Sequence, residues 1–158
     1  MNDILEMAQG NLTRVIAVRL RPGTDVLLGL TEACRRAGIN NGVILSAIGS
    51  LDGVAYCNPV ELPDKKAGYG YGEGLHLAGP IELTAGSGII CHDDQGVTNL
   101  HVHMSLSDRY GNAHGGHLVE GTKVLLTVDV IIAEIGGLVM GRKFDDELEV
   151  PLFAPKQA

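Results

Sequence analysis

Apolar residues recur along this chain with two periods, and each period predicts its own kind of element. In TRVIAVRLRPG (13–23), Ile16, Val18 and Leu20 alternate with Val15, Ala17 and Arg19, which predicts a strand ended by Pro22-Gly23. In DVLLGLTEACRRAGI (25–39) the period changes: Val26, Leu27, Leu30, Ala33, Cys34 and Ala37 fall at three- and four-residue spacing, which predicts an amphipathic helix. Thr24 or Asp25 suits its N-cap, Arg35 and Arg36 suit its C-terminal dipole, and Gly38 suits the position after it.

The rest of the chain reads mostly as strands. GVILSAIGSLDGVAY predicts a strand with a glycine break at Gly49. Residues 58–78, rich in Gly, Pro and Tyr, predict a long loop with at most a short edge strand. PIELTAGSGIICH predicts a hairpin or bent strand that stops at the Asp93–Gly96 turn, and VTNLHVHMSLSD predicts a strand. RYGNAHGGH reads as a glycine-rich connection, GTKVLLTVDVIIAEI as a long β-branched strand and LEVPLF as a short terminal one. One helix among many strands predicts an α+β fold with a mostly antiparallel sheet. The expected division is a loosely docked N-terminal extension over 1–12 and one domain over 13–154.

Composition agrees with a packed domain: 158 residues, 45% hydrophobic and 20% charged. No apolar run approaches the roughly 20 residues of a membrane helix, and the opening MNDILEMAQG lacks a basic, apolar leader, so no membrane association and a cytoplasmic location are expected. Cys34, Cys57 and Cys91 are odd in number and widely spaced, which predicts reduced thiols, with Cys34 a small buried apolar group in the helix. The net charge of −7 rests on only 12 Lys and Arg. Phosphate binding needs clustered cations, so DNA is not an expected partner of the isolated chain.

The chemistry concentrates in one strand. From Asn99 to Leu106, Leu100, Val102, Met104 and Leu106 share one face while His101, His103 and Ser105 share the other. Two histidines at i and i+2 place their imidazoles on one side, about 6–7 Å apart at the backbone. HxH alone also describes a solvated polar face. A third histidine after a glycine turn makes a metal site the better reading, and His117 is preferred to His114 because it leads straight back into the sheet through LVEG. His76 and His92 are outsiders. Three neutral imidazoles with an open fourth position suit catalytic Zn2+, or another divalent transition metal. Candidate proton carriers are Glu82, Glu120, Asp129 and Glu134. Glu82 and Asp129 are preferred because they interrupt apolar strands, with Glu82 first. Ser46 and Ser50, beside Gly49, are candidate pocket residues.

The runs RVIAVRLRPGTDVLLGLTEACRRAGINNGVILSAIGSL, IELTAGSGII and NLHVHMSLSDRYGNAHGGHLVEGTKV together resemble the plant-and-prokaryote-conserved (PPC) domain over residues 13–135. The pairing of LHVHMSLSD with GGHL is the most specific part. The resemblance implies an α+β fold with a mostly antiparallel sheet, usually assembled as a homotrimer. It also implies a distant likeness to acetolactate decarboxylase, whose zinc is held by an HxH pair and a later His; by that likeness the metal role falls on His101, His103 and His117. The family is customarily regarded as DNA-binding because plant members join the domain to AT-hook segments. This chain has no such basic segment, and it carries Asp129 where many bacterial relatives carry Glu.

Two functions follow as expectations. One is a metal-dependent lyase or hydrolase acting on a small carbonyl or carboxylate compound, with the metal in a cleft at a subunit boundary. Part of the 58–78 loop, with Tyr69 and Tyr71, would stand at its mouth. The other is a DNA-associated regulatory trimer without catalysis. Long apolar strands such as VLLTVDVIIAEI, more than one helix can cover, also favour a homo-oligomer.

Overall fold

The computed structural model describes residues 5–158; residues 1–4 of the expected N-terminal extension lie outside the described residues. Strand β1 (Asn11–Leu20) leads through Pro22-Gly23 into α1 (Val26–Ala37). Then come β2 (Gly42–Leu51), β3 (Val54–Cys57), β4 (Pro59–Glu61), β5 (Tyr69–Tyr71), β6 (Leu75–Leu77) and β7 (Ile81–His92). The chain closes with β8 (Thr98–Asp108), β9 (Ala113–Leu118), β10 (Val124–Gly136), β11 (Leu138–Asp145) and β12 (Val150–Gln157). The expected α+β class, with one helix, is therefore what the described residues adopt. No helix among the described residues is long and apolar enough to cross a membrane.

The main sheet runs β1-β10-β2-β7-β8-β9-β3-β6, and its neighbouring pairs are antiparallel. The β11–β12 hairpin joins it through one parallel bridge, Gly141 to His92 on β7. Helix α1 presents Val26, Leu30 and Cys34 to one face of this sheet. There they pack with Ile44, Leu83, Val102, Met104, Leu106, Val128, Val130 and Ile132. Burying side chains of this size stabilises the fold by about 1.5–3 kcal/mol each. Asp25 starts the helix: its carboxylate accepts from Leu28 N at 3.2 Å and from Gly121 N at 2.7 Å, tying the cap to the turn before β10. Gly38 ends it in the left-handed conformation at φ 66°. The helix thus covers one face, and the face carrying Leu45, Ile48 and Ile131 is left exposed.

Several local readings change. GVILSAIGSLDGVAY is two strands, turned at Asp52-Gly53 rather than broken at Gly49, which stays inside β2. A Cβ there would strike the Thr127 carbonyl, so the glycine serves close strand approach instead of a turn. Of the two readings of PIELTAGSGIICH, the single strand and not the hairpin is adopted, with a register shift between Leu83 and Ala85. The 58–78 segment is less open than a loop: β4 and β5 form a hairpin of their own, and β6 pairs with β3. The connection read through RYGNAHGGH is only a short turn, because the backbone from Ala113 pairs with β8 as β9. Strand β11 was not expected at all, and its partner β12 runs past residue 154 to Gln157.

Candidate metal centre

Alternation along β8 sends Val102, Met104 and Leu106 into the core under α1 and leaves His103 and Ser105 exposed on the opposite side, with His101 partly buried beside them. The β8–β9 register then sets His117 directly across from His103. On its other side His117 pairs with Cys57 of β3. Two glycines make this close three-strand arrangement fit. A Cβ on Gly115 would strike the Met104 carbonyl, and one on Gly116 would strike the Asn58 side-chain oxygen and lie 2.7 Å from the Tyr56 ring.

The three rings converge. His101 Nε2 lies 3.0 Å from His103 Nε2, and one ligand atom from each of His101, His103 and His117 lies within 4.8 Å of the others. Ring centroids are 4.9 Å apart for His101–His103 and for His101–His117, and 5.4 Å apart for His103–His117. Zn–N bonds of about 2.0–2.1 Å at tetrahedral angles separate ligand nitrogens by about 3.3 Å. The closest pair, at 3.0 Å, is near that spacing, and the third ligand atom lies within 4.8 Å of both. Tyr71 of the β4–β5 hairpin lies against the His117 ring, centroid to centroid at 4.8 Å.

Burial keeps two of the rings, His101 and His117, in the form that binds metal. Burial pushes His117 down to about 4, and the neighbouring His101 and His103 rings and the Arg142 cation push the same way. His101 is lowered by burial first, then by His103 and Arg142. A neutral imidazole has a free lone pair, whereas an imidazolium has none. His117 Nδ1 is buried and has no hydrogen-bond partner among the described residues. A buried nitrogen left without a partner is costly, and a metal ligated by this ring set would relieve that cost. The residues present therefore fit a divalent transition metal.

The other histidines stand apart. His114 Nε2 contacts the Asp108 carboxylate at 3.2 Å, so this competitor of His117 serves the β8–β9 turn. His76 pairs with Ala55 across β6–β3, and His92 Nδ1 contacts the Asn40 carbonyl at 3.3 Å.

The expected carboxylates are not brought to the histidines. Glu82 is exposed and pairs with Ser107. Ser107 lies four residues along β8 from His103, about 13 Å at the strand rise. Asp129 shares the outer face but sits on β10, with β2 and β7 between it and β8, about 14 Å away at the usual strand spacing. Its carboxylate accepts a hydrogen bond from the Thr127 hydroxyl at 2.8 Å. Glu134 is held by Arg14 at 2.9 Å, and Glu120 is exposed beyond the end of β9. Register is the reason in each case: an acid inside an apolar strand signals an outward-facing position and not proximity to a site several strands away.

Two cavities adjoin the histidines. One, of about 440 Å³, lies on the outer sheet face and is lined by His103 with Ser46, Ser87 and Ser105. The other, of about 790 Å³, is walled by His101, His117, Tyr69, Tyr71 and the β11–β12 hairpin, including Arg142. Ser46 thus lines a pocket as expected, while the Ser50 hydroxyl accepts from Leu126 N. Arg142 was missed because β11 was missed. Its only signal in the sequence was the apolar run Leu138–Met140 just ahead of it.

The Plants and Prokaryotes Conserved (PCC) domain matches residues 7–136. The chain belongs to this family. A segment of the bifunctional protein GlmU from Synechococcus sp. (strain JA-3-3Ab) is 31% identical over 121 residues, 77% of this chain. The chain spans less than a fifth of the length of the curated relatives it matches, 17% and 18%. Among solved structures, a metal-containing protein from Archaeoglobus fulgidus superposes with a TM-score of 0.80 at 23% identity, covering 94% of this chain and 99% of that one. The PPC protein of Pyrococcus horikoshii does so with a TM-score of 0.78 at 26% identity, covering 94% and 97%. In this PCC-domain chain the three histidines lie inside the matched stretch, and Arg142 with the β11–β12 hairpin lies beyond it.

Proposed function

We propose that the chain binds one divalent transition metal, zinc foremost, through His101, His103 and His117, and acts there on a small carbonyl or carboxylate compound. The observation that carries the reading is the convergence of three imidazoles, two of them, His101 and His117, held toward the neutral form by burial, with a buried His117 nitrogen left unpartnered. The metal content of the Archaeoglobus protein, which has the same fold, is in keeping with it. A divalent metal there would supply Lewis acidity toward a carbonyl or carboxylate oxygen. The chain's own residues do the rest: three rings hold the ion from one side, and Tyr69, Tyr71 and the β11–β12 hairpin wall off the cavity in front of it.

The reading includes a homotrimer. The face opposite α1 leaves Leu45 and Ile48 each 52% exposed, an apolar surface of the kind subunits cover. A net charge of −7 makes duplex DNA a poor partner for the isolated chain. Metal analysis of the purified protein tests the centre, with one metal per chain expected and no bound transition metal overturning it. Light scattering tests the assembly, and a monomer at micromolar concentration overturns the trimer.

A further inference from the structure

The cavity in front of His101 and His117 is apolar over most of its wall, with Ile89, Leu100 and Phe153 among its lining, yet it contains one cation, Arg142. Strand β11 delivers it: the Gly141–His92 bridge pins that strand to the end of β7, and the next residue is Arg142. Its guanidinium donates to the Pro151 carbonyl at 2.7 Å, a bond that orients the fork without neutralising it. No carboxylate among the described residues forms an ion pair with Arg142, and none lines the cavity. A partly buried guanidinium facing an apolar space without a counter-charge is costly, and a ligand anion relieves that cost.

We propose that Arg142 is the specificity-determining anion receptor of this cavity, which takes a small organic monocarboxylate. The carboxylate sits on the guanidinium and the apolar body lies against the β11–β12 hairpin and Tyr71. The guanidinium fork matches a carboxylate with two parallel hydrogen bonds. Phosphate is the weaker fit, because the cavity has a single cation and no helix N-terminus in its wall. This inference deepens the function proposed above and shares its site, placing the ligand's anion beside the three histidines.

The test is calorimetric titration of full-length protein, zinc-loaded and metal-free, with acetate, isovalerate and hydrocinnamate and with the neutral isovaleramide and hydrocinnamamide. The acids are expected to bind more tightly than their amides, and affinity is expected to rise from acetate to hydrocinnamate. Arg142→Gln is expected to weaken acid binding roughly tenfold or more, the loss of a charged hydrogen-bonding partner, while amide binding and metal content stay unchanged. Arg142→Lys is expected to fall between the two. Amides binding as tightly as acids, equal acid affinity in Arg142→Gln, or no binding of any acid overturns the inference. A wild-type chain that takes up no metal yet binds acids in an Arg142-dependent way overturns the metal centre and leaves this inference standing.

Discussion

His103 and His117 are fourteen residues apart in the chain and directly opposite each other across the β8–β9 ladder. That pairing turns an HxH strand into a three-ring cluster, since His101 and His103 already share a side of β8. Substitutions at the cluster are therefore expected to act as a unit. His103→Ala and His117→Ala should each weaken metal binding by more than the roughly 10–100-fold typical of losing an outer hydrogen-bond partner. His114→Ala, which removes only the contact to Asp108, should leave it unchanged. Competition with a chromophoric chelator measures all three, and equal affinity in His117→Ala would contradict the assignment.

Glu82 provides a contrasting case. It is exposed at the far end of the β7–β8 ladder from the histidines. Glu82→Gln is expected to keep full metal content and to shift stability by no more than about 0.5 kcal/mol, as for ordinary surface changes. Loss of metal in this variant would mean that the register places the carboxylate wrongly.

Gly116 separates β9 from Asn58, Tyr56 and Cys57 by less than a methyl group needs. Gly116→Ala is expected to destabilise the fold by about 1–3 kcal/mol, the usual cost of overpacking, and to lower metal affinity by displacing His117. Urea unfolding combined with the chelator assay reads both effects. A variant as stable as the parent would show that β9 can shift freely.

The lowered His117 value has a sign that can be checked in metal-free protein. Its folded value of about 4 lies below the ordinary histidine value of about 6.5. Above that ordinary value neither state holds the extra proton. As pH falls from there toward the folded value, the unfolded chain takes up a proton that the folded chain refuses, so stability drops. Thermal unfolding followed from neutral pH downward should show a steeper loss in the parent than in His117→Gln. Parallel curves would mean that the ring is not held neutral.

Local patterns along the chain set the kind of elements and the chemistry on them. Alternation in TRVIAVRL and LHVHMSLSD, the helical spacing in DVLLGLTEACRRA and the Asp25 and Gly38 caps are local facts, since each is set by side-chain period and backbone freedom within a few residues. The same alternation singled out His101 and His103 as neighbours. Long-range register decided the rest. That His117 and not His114 faces the pair depends on β9 pairing with β8, which the glycines permit but do not announce. That Glu82 and Asp129 stand several positions or strands away depends on how β7, β2 and β10 are ordered, which no spacing along the chain encodes. Arg142 reaches the cavity only because a hairpin that carries no strong strand period returns to the end of β7. Strand pairing joins residues far apart in the chain, so the ligands on one strand were legible in the sequence, and the groups gathered around them became visible only in the assembled sheet.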